Sequence, residues 1–119
     1  MEKKILVIED ELQFAKTLNM LLEKKGFNTD IASDMNINPF LEKINKGKIS
    51  YNIILFDLNI PGIDVAKEIG SINKNCPDSR VIVISGTDPD VVKEILGTEL
   101  EYNFLQKPFG VKELLEAIK

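Results

Sequence analysis

Residues 53–62 read Ile-Ile-Leu-Phe-Asp-Leu-Asn-Ile-Pro-Gly and decide how the chain folds. A short apolar run that is closed by turn residues is typical of a parallel strand buried on both faces. Asp57 stands at the carboxyl end of this run, where open α/β sheets bind their ligands. The stretch therefore predicts a buried strand that brings a carboxylate to the functional edge of a sheet.

Three further runs end in polar residues in the same way. Residues 5–8 lead to Glu9-Asp10-Glu11, residues 81–84 to Ser85-Gly86-Thr87, and residues 102–106 to Lys107-Pro108. Because the carboxyl ends of parallel strands share one edge of a sheet, we expect acid, hydroxyl and amine groups to converge there.

Segments with helical periodicity separate the strands. Their predicted positions are near residues 12–25, 36–46, 65–72, 89–96 and 111–118. Gly26 is a plausible stop for the first helix, and Pro39 is expected in the first turn of the second. Thr87-Asp88-Pro89 predicts a capped start to the fourth helix, with Val91, Val92, Ile95 and Leu96 facing inward. A more polar strand near residues 28–32 is expected at an edge. Five such alternations predict a parallel sheet with right-handed crossover helices on both faces.

Composition limits the kind of protein this is. The chain has 119 residues, 44% of them hydrophobic, which suits one domain with a buried core. Its net charge of −4, with Arg80 as the one arginine, argues against a nucleic-acid surface. No run reaches the roughly 18 apolar residues of a membrane span, and residues 1–8 do not fit a signal peptide. A single cysteine, Cys76, excludes an internal disulfide, so we expect a cytoplasmic protein.

The expected cluster of polar groups suits phosphoryl transfer. Glu9, Asp10 and Asp57 would repel one another in one pocket unless a proton or a divalent cation joins them. Oxygen ligands suit Mg²⁺, with Mn²⁺ as an alternative, and the chain has no histidine to act as a base or ligand. A carboxylate can accept a phosphoryl group covalently, and Lys107 and Ser85 would contact its oxygens.

These motifs together resemble the receiver domain of two-component response regulators. The matching residues are Glu9-Asp10, Asp57 with Asn59 and Pro61-Gly62, Ser85-Gly86, and Lys107-Pro108-Phe109. The resemblance covers essentially the whole chain. It implies one receiver domain over residues 1–119, with a flavodoxin-like, three-layer α/β/α fold: a doubly wound, five-stranded parallel sheet in the order 2-1-3-4-5 with five helices.

The resemblance also assigns a phosphoacceptor and metal ligands. Asp57 is implied to accept the phosphoryl group and to bind Mg²⁺. Asp10 is implied to bind the ion directly, Glu9 through water, and Asn59 through its backbone carbonyl.

A second group of residues is implied to read the phosphorylated state. Lys107 would pair with the phosphoryl group, and Ser85 would sense it. Phe104 matches an aromatic residue that turns inward when the hydroxyl residue moves, although a static core aromatic is the competing interpretation. A cis peptide bond is implied between Lys107 and Pro108.

The implied partners are those of a phosphorylation switch. A histidine kinase or a phosphotransfer protein would donate the phosphoryl group, and the fourth helix, fifth strand and fifth helix would form the face that binds a target or a second copy. The domain itself would bind neither nucleic acid nor membrane. It would be a switch, not a turnover enzyme, apart from slow loss of its own phosphoryl group.

Two alternative functions are open at this point. A small Mg²⁺-dependent phosphohydrolase would use Asp57 as nucleophile, but such enzymes typically carry an acid two residues later, where this chain has Asn59. A receiver-like module that works by binding alone would need no phosphate. The downstream target, and whether an output domain is fused to the receiver, are not encoded in these residues.

Overall fold

Five strands and five helices alternate along residues 3–119, the part of the chain that this computed structural model describes. The strands are β1 Lys4–Ile8, β2 Asn28–Ala32, β3 Ile53–Asp57, β4 Arg80–Ser85 and β5 Asn103–Gln106. The helices are α1 Leu12–Lys24, α2 Ile37–Asn45, α3 Val65–Asn75, α4 Pro89–Leu96 and α5 Val111–Ile118. A single 3₁₀ turn, Asp34–Asn36, precedes α2.

The sheet is parallel throughout and has the strand order β2-β1-β3-β4-β5. This order confirms the flavodoxin-like fold that the sequence predicted. Ile8 pairs with Phe56, and Asp57 pairs with Ile84, so β1, β3 and β4 end at nearly the same level. The residues that follow them emerge at one edge, which is the switch point between β1 and β3.

Two hydrophobic cores cover the two faces of the sheet. Alternate residues of a strand point to opposite faces, so Ile54 and Phe56 enter one core whereas Ile53 and Leu55 enter the other. The first core packs under α2, α3 and α4, and the second under α1 and α5. Because β3 contributes to both, all five of its residues are buried.

Helix ends follow local chemistry. The Asp88 side chain accepts from the backbone N–H of Asp90 at 2.9 Å, and Pro89 opens α4, as predicted. Pro39 lies in the first turn of α2, also as predicted. Gly26 follows α1 with a φ of 91°, in the left-handed region that glycine adopts without strain.

The predicted inward face of α4 is partly wrong. Val92 and Leu96 are buried, but Val91 and Ile95 are 43% and 53% exposed. An eight-residue helix on the rim of the sheet packs along one i, i+4 stripe, and neighbouring residues are rotated by about 100° away from it. The sequence pattern predicts the helix correctly but assigns two exposed residues to its buried face.

The helices within residues 3–119 are too short or too polar to cross a membrane. The longest of them, α1, has 13 residues. A membrane-spanning helix needs about 20.

Candidate functional site

Four side chains predicted to meet at the carboxyl edge of the sheet come from four different strand ends. Asp57 closes β3 and is 5% exposed, and Ser85 closes β4 and is fully buried. Glu9 follows β1 directly and is 2% exposed. Lys107 follows β5, and its backbone N–H donates to the carbonyl of Ser85 at 2.8 Å.

Lys107 joins the two buried carboxylates. Its Nζ donates to Oε2 of Glu9 at 3.3 Å and lies 3.8 Å from Oδ1 of Asp57. One ammonium thus neutralises one of two buried negative charges. The remaining charge makes the site attractive to a further cation.

Burial is the largest influence on the pKa of Glu9. Removal from water raises the pKa of its carboxyl above the ordinary value of 4.5, and the nearby charge of Asp57 raises it further. The Lys107 ammonium and the backbone N–H of Glu11, which donates to Oε1 of Glu9 at 3.2 Å, oppose this rise in pKa only in part. Glu9 is therefore a carboxylate whose negative charge is under-compensated by the protein.

Asn59 connects Asp57, at the end of β3, to Ser85. Its backbone N–H donates to Oδ1 of Asp57 at 3.3 Å, and its side-chain amide donates to Oγ of Ser85 at 3.3 Å. The same Oγ accepts from the backbone N–H of Thr87 at 3.0 Å. The hydroxyl of Ser85 is therefore held in place by donors from two loops.

Asp10 is placed differently from the expectation of three carboxylates in one pocket. Its side chain is exposed and lines a surface pocket with Ser33 and Asp34. In residues 3–119, no three acidic or other metal-binding side chains form a ready cluster. Glu9 is buried and contacts Lys107, whereas the next residue, Asp10, is exposed.

Two further predicted features lie beside the site. Phe104 is half-buried and packs against the core under α2, α3 and α4. The Lys107–Pro108 peptide bond is cis.

The donor atoms present fit a small, hard divalent cation. Glu9 and Asp57 offer carboxylate oxygens at a buried position with one positive partner between them. Oxygen-only donors of this kind suit Mg²⁺, which keeps several waters and needs few carboxylates.

One aromatic neighbour of the site was missed from the sequence. The ring centroid of Phe14, on α1, lies 4.4 Å from Nζ of Lys107. Helical periodicity identified Phe14 as part of an apolar stripe, and no local signal links it to a lysine at the other end of the chain.

Comparison with known proteins identifies the family. The sequence model of the response regulator receiver domain matches residues 5–119. The chain belongs to the response regulator receiver domain family. Members of this family are phosphoacceptor switches of two-component signalling, and this chain is such a receiver domain.

Curated relatives of this receiver domain are longer response regulators. It is 33% identical to the transcriptional regulatory protein CpxR homolog of Haemophilus influenzae, over 98% of this chain and 48% of that protein. It is also 33% identical to the response regulator ArlR of Staphylococcus saprophyticus, over 98% of this chain and 50% of that protein. The chain thus spans about half the length of these relatives.

Solved receiver domains share its fold. The beryllofluoride-activated NtrC4 receiver domain, a dimer in solution, is 30% identical with a TM-score of 0.78, over 97% of this chain and 92% of that one. A CheY-like receiver domain from Methanospirillum hungatei is 23% identical with a TM-score of 0.80, over 99% of this chain and 91% of that one. The second likeness is one of fold alone.

Proposed function

We propose that Asp57 of this receiver domain accepts a phosphoryl group from a histidine kinase or phosphotransfer protein, and that Ser85 and Lys107 read the result. The observation that carries this proposal is the buried Asp57 carboxylate at the edge of the central strand, with Nζ of Lys107 3.8 Å from its Oδ1. A carboxylate in this position is held for reaction, because a side chain serving only stability would be cheaper to bury as an apolar residue.

The transfer itself needs little from the protein beyond positioning and charge. A carboxylate oxygen of Asp57 forms a bond to phosphorus while the bond from phosphorus to the donor imidazole nitrogen breaks. The electron pair leaves with the imidazole nitrogen. Lys107, whose Nζ lies 3.8 Å from Oδ1 of Asp57, pairs with the phosphoryl oxygens.

The acidic residues would hold the divalent cation. Asp10 and Asp57 would bind Mg²⁺ directly, Glu9 through water, and Asn59 through its backbone carbonyl, with Mn²⁺ able to substitute. When bound, the ion offsets the repulsion between an anionic acceptor and an anionic donor. The under-compensated charge of Glu9 and Asp57 supports this assignment.

Ser85 is the proposed sensor of phosphorylation. Its Oγ now accepts from Asn59 and Thr87, and its own O–H would donate to a phosphoryl oxygen. Hydrogen bonds to charged groups are worth about 1.5–3 kcal/mol each. Two or three such bonds approach the ~5.5 kcal/mol that reverses a 1:99 equilibrium between two conformations.

The proposed output is a change on the face made by α4, β5 and α5, with Phe104 turning inward as Ser85 moves. Val91, Ile95 and Val111 expose apolar surface on this side, with 43%, 53% and 38% of each residue accessible. Such a face suits a protein target or a second copy of the domain. We propose that residues 1–119 form one receiver domain that acts in the cytoplasm, and that it controls an output domain fused to it or a separate protein.

Phosphorylation of Asp57 can be tested directly. Incubation with Mg²⁺ and acetyl phosphate should give a phosphoprotein that is stable in acid and labile in base, and Asp57→Asn should abolish it. Asp64→Asn is the matched control, because Asp64 is an exposed cap of α3 and asparagine caps equally well. Equal labelling of Asp57→Asn and wild type would refute the assignment.

Labelling, together with measurements of Mg²⁺ binding and of phosphate monoester turnover, separates the two alternative functions. A module that works by binding alone would show no labelling and no Mg²⁺ binding. A phosphohydrolase would turn over phosphate monoesters steadily. The amide of Asn59 argues against hydrolysis, because it donates to Ser85 and cannot exchange a proton as a general acid.

A further inference from the structure

We propose that Phe14 is a positioning residue for Lys107, holding its ammonium beside Asp57 through a cation–π contact. The proposal rests on the function proposed above. Nζ of Lys107 lies 4.4 Å from the centroid of the Phe14 ring, well inside the ~6 Å range in which the negative face of a ring attracts a cation. The ring is thus a third partner of the ammonium, besides Glu9 and Asp57.

The Phe14 ring is itself held in orientation. Phe109 contacts it edge-on, with the centroids 6.0 Å apart and an angle of 74° between the planes. This is a favoured geometry for an aromatic pair. Both rings pack against the core under α1 and α5. Phe109 follows Lys107 by two positions, so the loop that carries the ammonium also fixes the ring that receives it.

The uncharged ring of Phe14 can hold the ammonium in place when the charge at the two carboxylates changes. The Lys107 side chain is long and flexible, and its ammonium is now closer to Glu9, at 3.3 Å, than to Asp57, at 3.8 Å. Phosphorylation would change the charge of Asp57, and cation binding would occupy Glu9. The ring keeps its attraction for the ammonium through both changes, so Lys107 would remain next to the phosphoryl oxygens.

Substitutions that separate the ring's charge distribution from its volume test this proposal. We expect Phe14→Leu to slow labelling by acetyl phosphate about two- to fivefold, the range of a partly exposed cation–π contact, and Phe14→Tyr to restore the rate. Stepwise fluorination of the ring at position 14 should slow labelling stepwise, since fluorine weakens the negative face and barely alters the size. A labelling rate that does not change on fluorination, or a Phe14→Leu labelling rate equal to that of wild type, would overturn the proposal.

A second measurement needs no phosphorylation. In the wild-type protein the ring should displace the proton resonances of the Lys107 ε-methylene upfield, and Phe14→Tyr should preserve this displacement. A double-mutant cycle of Phe14→Leu with Lys107→Met should show coupling in the free energy of unfolding. If Asp57 is labelled but the Lys107 resonances are not displaced and the cycle shows no coupling, the role of Phe14 is refuted and the proposed function is not. If the Lys107 resonances are displaced and the cycle shows coupling but Asp57 is never labelled, the proposed function is refuted instead.

Discussion

Glu9 and Asp57 show how a single half-buried lysine can leave a site with two buried carboxylates short of positive charge. The protein buries two carboxylates and supplies Lys107 to both, at 3.3 and 3.8 Å. The raised pKa of Glu9 follows from burial first and from Asp57 second. A proton would therefore compete with the proposed divalent cation for these carboxylates, and acidification should weaken cation binding.

Tyr51 is a residue whose hydrogen bond can be measured on its own. It is 3% exposed, and its hydroxyl donates to Oδ2 of Asp30, on β2, at 2.7 Å. We expect Tyr51→Phe to lower the free energy of unfolding by about 1 kcal/mol at pH 7.5, because Asp30 loses its donor. Urea unfolding measures this, with Tyr102→Phe as a control that should stay within about 0.5 kcal/mol of wild type.

The pH dependence of that difference has a definite sign. Burial, and then the hydrogen bond and charge of Asp30, raise the pKa of Tyr51 above its ordinary value of 10.0. The unfolded chain therefore ionises first as the pH rises, so the stabilisation is complete below pH 10 and declines above it. The difference in unfolding free energy between wild type and Tyr51→Phe should be smaller at pH 10.5 than at pH 7.5. A difference that grows with pH would contradict the raised pKa of Tyr51.

At the scale of elements, the carboxyl end of α5 is held by two side chains distant in sequence, one on β4 and one just before β1. Nη2 of Arg80, on β4, donates to the carbonyls of Ala117 and Ile118 at 2.9 and 2.6 Å. Nζ of Lys3 donates to the carbonyl of Ile118 at 3.1 Å. The last carbonyls of a helix lack partners within it and carry partial negative charge, so two cations stabilise this end.

Removal of this cap should loosen α5 first. We expect Arg80→Met to lower the free energy of unfolding by about 1 kcal/mol and to speed hydrogen exchange in the last turn of α5. Lys112→Met is the control, because Lys112 is exposed on the same helix. Unchanged exchange in α5 of Arg80→Met would show that the capping bonds contribute nothing.

At the scale of the whole molecule, one sheet is shared by two cores, and β3 belongs to both. Leu55 is fully buried on the face covered by α1 and α5. We expect Leu55→Ala to lower the free energy of unfolding by about 3 kcal/mol, through lost apolar burial and the cavity left behind. Met35→Ala, at an 85% exposed position, should change it by less than about 0.5 kcal/mol.

The same variant tests whether the two cores unfold together. Because they share β3, chemical denaturation of Leu55→Ala should remain a single transition by both fluorescence and circular dichroism. Two separated transitions would show that the faces of the sheet unfold independently.

The sequence predicted the strands, the helices and the edge at which the polar residues gather. It did so because burial of a strand on both faces, the i, i+4 stripe of a helix and the chemistry of caps are all local patterns. Strand order came from the family resemblance. Periodicity wrongly placed Val91 and Ile95 on the buried face of α4, because it does not say how far a neighbouring element reaches.

By itself, then, the order of residues determined which chemical groups this receiver domain carries and that strand ends present them. Only the tertiary structure decided which of those groups touch. It paired Glu9 with Lys107 and left Asp10 exposed, and it placed the ring of Phe14 against an ammonium from the other end of the chain. The physical reason is that such contacts depend on the register and packing of several elements at once, which no local pattern encodes.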